Sequence, residues 1–576
     1  MKRLRLEKGI PPALILFLLL ASSISADAQE PLQGDSLTSA EEVDLNSLLD
    51  VEESEAAEYL ESTLYGPQGK YRIQTAPRIK RFILRGRLCN PGVDELPQHS
   101  LSLQGGNETF WVGARVQRDA GEPDASDLTR LTLQWKSRQT TMIVGDFKVD
   151  FGSGWTVGVT PTFPTSTDPD APFRGFSGGM KPQQTSEEGR GWRGGAVRLA
   201  LPGERAPSLN VWAGSAAYDA HEEEDGWAIY ATQGDHTDEE ATATNLVNER
   251  LYGSAVSFEL GRVKLDAIRL VSFWDRTLSP TQQPSRFRFG GQSFGASGIA
   301  LKQRSSSTNR YSVEISYQDH GAWGGGASTA IPLPESGQFV LASWRATSSF
   351  APLHTRPWLP SGSDPAGKTG LFSAWNREFG DHLEVILGWY GNQREAMDSD
   401  SEERSQKING ICRFHPAPSL LLESVVSEKW DWQRGDTHER SRSARFHMRY
   451  RSGRNSRSLR LHISEELTGS GWGVTGSSRQ SLGRLLALDL GATYLSTSGT
   501  GATIAVVEPA PLEAIPFVRL SGERMRLVMM LTFDPLPGAR FWIRGRAEHR
   551  LDEGSPGNTA SWDLGIRWRA TYGERD

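Results

Sequence analysis

Hydrophobic residues occupy every second position over long stretches of this chain. At the C-terminal end, Trp562, Leu564, Ile566, Trp568, Ala570 and Tyr572 alternate with Asp563, Gly565, Arg567, Arg569 and Thr571. A period of two sends successive side chains to opposite faces of a strand. One face here is apolar and aromatic, and the other is charged. The pattern suits a strand with lipid on one side and water on the other, its aromatics near the membrane interfaces. It assigns Trp562, Leu564, Ile566, Trp568 and Tyr572 to lipid.

The same alternation recurs along the chain. It is clear at Phe110, Val112, Ala114 and Val116, at Leu131, Leu133 and Trp135, and at Val313, Ile315 and Tyr317. It returns at Leu383, Val385, Leu387 and Trp389, and at Leu527, Met529, Leu531 and Phe533. Turn-forming clusters such as Ser452-Gly453-Arg454-Asn455 separate the runs. Residues 79–576 hold roughly 18–22 such strands of about ten residues, the length a tilted membrane strand needs. The predicted fold is all-β, a transmembrane antiparallel β-barrel. A propeller or solenoid would show a fixed repeat, and none is visible. Polar segments at 161–190, 219–250, 351–368 and 394–405 read as long loops, with a helix allowed at 236–250.

The N-terminus has the build of a secretory signal. Lys2, Arg3, Arg5 and Lys8 precede a short apolar run at 13–21, and Ala26-Asp27-Ala28 fits a cleavage site. Residues 1–28 are therefore expected to be a signal peptide. The apolar run is short for an anchor helix, and no other stretch is apolar enough to cross as one. Residues 29–78 form an acidic lead before the barrel. No Lys or Arg lies between Lys8 and Lys70, and nine carboxylates crowd between Glu41 and Glu61. Leu45, Leu48, Leu49, Ala56, Tyr59 and Leu60 approach helical spacing, so short acidic helices are expected, with a disordered lead as the alternative.

Composition changes the picture little. Mean hydropathy is −0.47, which a barrel with a wet lumen shares with soluble proteins. The 18 Trp suit interface girdles and the 60 Gly suit turns and crowded lumen positions. The formal charge of −7 becomes −9 without residues 1–28, which hold four basic and two acidic residues. That acidity argues against a nucleic-acid-binding body. Cys89 and Cys412 are the two cysteines. Their pairing is left open.

Four short segments occur in a distinctive order: Arg118-Asp119-Ala120-Gly121-Glu122, then Gly145-Asp146-Phe147-Lys148-Val149-Asp150-Phe151-Gly152-Ser153-Gly154, then Arg174-Gly175-Phe176-Ser177, then Arg193-Gly194-Gly195-Ala196. In this order the chain resembles a family of exported barrel proteins called helix-hairpin-helix proteins, after a competence-type DNA-binding segment near their N-terminus. The resemblance covers most of residues 79–392. It implies an exported barrel and, through the family's name alone, DNA handling. The hairpin itself is degenerate or lost here. Asp44-Leu45-Asn46-Ser47 matches the usual opening, but no Gly-x-Gly loop follows. Such a loop offers backbone N–H groups to phosphate, and the surrounding carboxylates would repel it. DNA binding is not carried over.

Asp119, Glu122, Asp146, Arg174 and Arg193 are expected to form a charge network on the inner wall, bracing the barrel. A calcium site at the carboxylates is a weaker reading, because their spacing matches no known loop. His462 and Ser464 share a strand face, but Leu459, Leu461 and Ile463 claim the outer one, so an outer-face catalytic pair is not expected. No phosphate loop, zinc spacing or nucleotide fingerprint appears. No cofactor, metal or catalytic residue is predicted. The expected location is the outer membrane and the expected role is a pore, a gated conduit or a scaffold. DNA handling and an outer-membrane enzyme are the rival classes. The expected partners are outer-membrane lipid and the barrel assembly machinery, with a periplasmic partner allowed for residues 29–69.

Overall fold

A computed structural model describes residues 80–572, apart from 91–97, 119–127, 159–170, 175–178, 184–190, 204–205, 230–245, 280–288, 304–308, 335, 356, 358, 360–364, 395–402, 433–437, 467–468, 500–503, 511–516, 537 and 552–557. The expected signal peptide and acidic lead lie outside the described residues.

The alternating segments form strands. The first five are β1 (Lys80–Asn90), β2 (Gln98–Gly106), β3 (Phe110–Arg118), β4 (Leu128–Lys136) and β5 (Thr140–Phe151). Short elements follow: β6 (Val157–Gly158), the one-turn helix α1 (Ala171–Arg174) and β7 (Gly179–Pro182). Next come β8 (Trp192–Ala200), β9 (Ser208–Tyr218), the hairpin β10 (Ala220–Glu223) and β11 (Gly226–Ile229), β12 (Val247–Leu260) and β13 (Val263–Leu278). The middle of the chain supplies β14 (Gly291–Gln303), β15 (Arg310–Gln318), β16 (Trp323–Leu333), β17 (Gly337–Ala346), β18 (Lys368–Phe379) and β19 (Leu383–Arg394). Then come β20 (Glu403–Ala417), β21 (Leu420–Trp432), β22 (His438–Ser452), β23 (Asn455–Glu466), β24 (Gly469–Ser481) and β25 (Leu486–Gly499). A hairpin of β26 (Ile504–Val507) and β27 (Phe517–Leu520) precedes β28 (Glu523–Leu536), β29 (Ala539–Arg550) and β30 (Asn558–Tyr572).

Hydrogen bonding joins β1 to β5 in order, then β8, β9, β12 to β25, and β28 to β30. The last strand returns to the first, pairing from Lys80↔Tyr572 to Asn90↔Trp562. The wall is a closed ring of 24 antiparallel strands. That exceeds the expected range, because strands such as β16, with Gly324-Gly325-Gly326-Ala327-Ser328, carry little alternation to read. Residues 247–250, allowed as helix from sequence, are strand. There the period of two prevails, with Val247, Glu249 and Leu251 all buried on the inner face.

The ring has two unlike ends. Tight turns join β12 to β13, β18 to β19 and β22 to β23 at one end. The long connections 152–191, 219–246, 347–367 and 500–522 all leave the other. An outer-membrane barrel has this asymmetry. Its outer face is apolar: Leu131, Leu133 and Trp135 of β4 and Met525, Leu527 and Met529 of β28 are exposed, while Arg130, Thr132 and Gln134 are buried on the inner side. Lipid accepts such a surface and water does not. Cys412 is free and exposed.

Three inner-face tryptophans share one arrangement. Trp212, Trp344 and Trp542 are cross-strand partners of Gly253, Gly370 and Gly565. In each case the indole covers the place where a Cβ on the glycine would stand. A ring laid over a glycine fills a gap in the wall that the missing side chain would leave.

Gly253→Ala, Gly370→Ala and Gly565→Ala are each expected to destabilise the barrel by about 1–3 kcal/mol through overpacking. Urea unfolding in lipid vesicles reads this out, and unchanged midpoints would refute the arrangement. On the outer face, Leu564→Arg should cost about 2–4 kcal/mol if it lies near the bilayer midplane, and Arg567→Leu less. Equal losses in the same assay would mean that the strand's faces are assigned wrongly.

Candidate functional site

The functional geometry lies inside the ring, and it begins where β5 leaves the wall. β4 and β5 pair only from Lys136↔Thr141 to Thr132↔Gly145. Gly145 has φ of 101°. A Cβ there would meet the Leu131 carbonyl, so only glycine makes this bend easily. Past it the alternation slips, Asp146 and Phe147 are both buried, and the strand's end pairs with β6 and β7 instead.

The departure leaves β4 short of backbone partners, which a membrane wall cannot tolerate. Asp146 and Arg193 supply them. Asp146 Oδ2 accepts the Leu131 N–H at 2.6 Å, and Arg193 donates to the Thr129 carbonyl. The Thr132 hydroxyl donates to the Asp146 carbonyl at 2.7 Å, and Arg193 Nε stands 3.2 Å from Asp146 Oδ1. The ion pair stands in for a missing strand.

Beyond the bend, the chain folds into the lumen. Phe151 stacks on Trp212 with centroids 5.5 Å apart. Residues 152–156 then seat on the inner faces of β14, β15 and β16, where Gly298, Ala300, Gly324 and Gly326 make room. The Trp155 ring lies over Gly324 and Gly326 and meets Phe350 edge-on at 5.9 Å. Glu314, fully buried, receives four donors from this turn. They are the Ser153 N–H and hydroxyl (2.7 Å for the latter) and the Thr156 N–H and hydroxyl, each at 2.9 Å. A buried carboxylate persists only with such partners.

The connection after β17 joins the same core through Phe350, Ala351, His354 and Leu359. His354 Nε2 lies 2.7 Å from Oε1 of the buried Glu249. Glu249 also accepts Tyr218 Oη at 2.9 Å, Trp192 Nε1 at 3.3 Å and the Ser272 hydroxyl. The Gly158 N–H donates to the His354 carbonyl at 2.8 Å, which ties the two in-folded segments together. At the loop end, Arg269 grips Asp319 with two bonds of 2.6 Å, and this guanidinium holds the Asp319 carboxyl below its ordinary range.

A second in-folded piece, the β26–β27 hairpin, packs on the opposite arc. Ile504, Val506 and Leu520 cluster with Leu495. Ile504 sits above Gly471 and Gly473, and Pro509 above Gly491. Arg544 donates to the Pro509 carbonyl at 3.2 Å, and Arg526 pairs with Glu508.

The wall itself carries a row of charges in balance. Cross-strand partners share a face, and Glu384, Arg413, Glu423, His447 and Arg460 follow one another from β19 to β23. Arg413 reaches Glu423 at 2.6 Å and Glu384 at 3.1 Å. Further on, Arg526 meets Glu548 at 2.7 Å. Such rows brace a wide wall. No group of three His, Cys, Asp or Glu suited to a metal ion occurs among the described residues.

Of the five residues expected in a lumen network, Asp146 and Arg193 come together. Asp119 and Glu122 lie outside the described residues, and so does the side chain of Arg174 in α1. On β30, Trp562, Leu564 and Trp568 are exposed at 40%, 42% and 39% on the outer surface, while Asp563 is 1% exposed. Ile566 is half-buried, and the side chain of Tyr572 lies outside those described. Glu249, Glu314 and His354 were missed from sequence. Their one signal was a carboxylate at an inward register position beside small residues, as at Glu314 facing Ala300 and Gly326.

No family model matches the chain, and no curated protein does. Solved structures similar to it are outer-membrane barrels. The P pilus usher (PapC) translocation pore is 10% identical, covers 86% of this chain and 100% of its own, and has a TM-score of 0.36. The FrpB iron transporter from Neisseria meningitidis (F5-1 variant) is 9% identical, with coverage of 86% and 82% and a TM-score of 0.40. The outer membrane protein opdK from Pseudomonas aeruginosa is 10% identical, with coverage of 86% and 99% and a TM-score of 0.33.

Asp146→Asn and Arg193→Ala should each lower stability, and the double variant should lose less than the sum, with a coupling of about 0.5–3 kcal/mol. Additive losses in vesicle unfolding would separate the two side chains and remove the edge-capping role.

Proposed function

We propose that the protein is an outer-membrane conduit whose passage is gated by its in-folded segments. The observation that carries this reading is the seat of residues 152–156 on β14–β16, fastened through Glu314. A ring of 24 strands spaced about 4.8 Å and tilted about 40° is roughly 48 Å across, far wider than wall side chains fill. Without inserted chain it would be an open hole. Two separate pieces enter from the loop-bearing end and pack on opposite arcs of the wall. The first is fastened by hydrogen bonds to the single carboxylate of Glu314 and by the buried Trp155 ring, which packs against Phe350.

Kinship with the helix-hairpin-helix barrel family is consistent with this, since the two quoted motifs around Asp146 and Arg193 meet where β5 turns inward. The outer face of β30 then lies against lipid through Trp562, Leu564 and Trp568, with Arg567 toward the passage. Catalysis has no comparable support: Glu249 and His354 are enclosed by Trp192, Trp274 and Phe294 and have no room for a substrate.

Planar-bilayer recording of the full chain tests the reading. The native protein should give small, infrequent current steps. Glu314→Ala, which removes the acceptor for four donors, should raise open probability or step size severalfold. Silence from both proteins, each shown to be folded by heat-modifiable migration, would end the conduit reading.

A further inference from the structure

The tight-turn end of the ring, which faces the periplasm, carries exposed cations in two groups. In the first, Lys136 of β4 and Arg198 of β8 are both register partners of Thr141 in β5, and Arg138 stands in the turn between β4 and β5. The Ala200 N–H donates to the Gln139 carbonyl at 2.7 Å, which holds the end of β8 against that turn. Gln134 and Ala196 are buried on the inner side. Lys136 and Arg198, two residues beyond them, therefore face the mouth and not the lipid. In the second group, Arg454 lies in the β22–β23 turn, Arg457 near the start of β23 and Arg484 in the β24–β25 turn. All six are exposed, and none pairs with a carboxylate among the described residues. Glu108, Glu259, Glu378 and Asp381 stand at other turns of this end, and Asp534 is held by Arg540 at 2.8 Å.

The chain supplies a counterpart of opposite sign. Nine carboxylates crowd between Glu41 and Glu61, with no Lys or Arg between Lys8 and Lys70. This stretch leads into β1, whose first residue, Lys80, pairs with Tyr572 at the same tight-turn end. In the ring, β1 lies between the two cationic groups. With strands about 4.8 Å apart and tilted about 40°, the turns that carry Arg138 and Arg484 are within roughly 30 Å of β1 along the rim. Residues 62–79 span at most about 60 Å when extended. The acidic stretch can therefore reach either group.

We infer that residues 41–61 dock on these turns, so that the periplasmic rim of the barrel is a binding surface for the chain's own acidic lead. A guanidinium matches a carboxylate through paired N–H donors. One exposed pair of this kind is weak. Here several act together, and the covalent link makes the encounter intramolecular, so weak pairs suffice. Anionic lipid headgroups attract exposed arginines too, and Arg457 sits on the outer register of β23. Lys136 and Arg198 point the other way, toward the mouth, where there is no lipid to bind. An acidic stretch without cations is itself repelled by an anionic membrane surface, which leaves the rim as its attractive neighbour. The docking goes beyond the conduit reading and does not depend on it.

Disulfide trapping in the full-length protein tests this. The background is Cys89→Ser/Cys412→Ser, reconstituted in vesicles of phosphatidylethanolamine and phosphatidylglycerol. Ser54→Cys, inside the acidic stretch, is combined in turn with Gln139→Cys or Leu482→Cys at the tight-turn end, and with Ser498→Cys at the loop-bearing end as control. Heat-modifiable migration shows that each protein is folded. Trapping within one chain should be severalfold higher at one or both tight-turn positions than at the control. It should fall to the control level at about 1 M salt, where the screening length is roughly 3 Å. Glu52→Gln/Glu53→Gln/Glu55→Gln/Glu58→Gln, which leaves the barrel untouched, should lower it equally. Arg138→Glu/Arg198→Glu should abolish trapping at Gln139→Cys, as Arg454→Glu/Arg484→Glu should at Leu482→Cys, and Glu52→Lys/Glu55→Lys in the lead should restore part of it. Trapping that is equal at the two ends, indifferent to salt and to the substitutions, or found only between two chains would overturn the docking. So would trapping present in detergent and lost in these vesicles, which would assign the arginines to lipid headgroups. A barrel that traps its lead yet passes no current would keep the docking and discard the conduit.

Discussion

Hydrocarbon offers no hydrogen bonds, and the rest of this structure follows from that. Every backbone N–H and C=O at membrane depth must find a partner in the protein. A sheet meets the demand only when its last strand returns to its first, as β30 does along the whole of β1. The same demand explains the charges at the one place where a strand leaves the ring. When β5 turns inward at Gly145, Leu131 and Thr129 lose their neighbour, and Asp146 and Arg193 take its place. The two residues expected from sequence to brace the inner wall here patch its one broken edge.

Closure at 24 strands creates a second problem, an interior too wide for wall side chains to fill. Small residues on the inner face answer it by receiving inserted chain. Gly298, Gly324 and Gly326 seat the turn at 152–156, and Gly471, Gly473 and Gly491 seat the hairpin at 504–520. Indoles lie over Gly253, Gly370 and Gly565, and those of Trp212 and Trp344 also pack against the inserted chain. The plentiful glycine and tryptophan are thus two halves of one packing device as much as turn formers and interface anchors.

The barrel class was legible because period-two alternation is a local signal, and at β30 it even separates the exposed Trp568 from the buried Asp563. Strand number was less so. β16 is mostly glycine, alanine and serine on both faces, so it shows little contrast between its sides. The inner site was harder still. Asp146 and Arg193 drew notice as charged residues near glycines, but their partners are backbone groups of β4, which no side-chain pattern reports. Glu314 meets Ser153 and Thr156 across some 160 residues, a pairing that depends on how the ring curls.

The inward turn of β5 also sets where the wall is mechanically weakest. Neighbouring strands are joined along long seams, eleven residue pairs for β1 with β30, yet β4 and β5 share only five. A ring under lateral tension, from a bilayer thicker or thinner than its belt, parts first at its shortest seam. In this barrel that is not the junction of the chain's two ends. It is the notch beside Gly145, where a single ion pair carries the load of the absent strand.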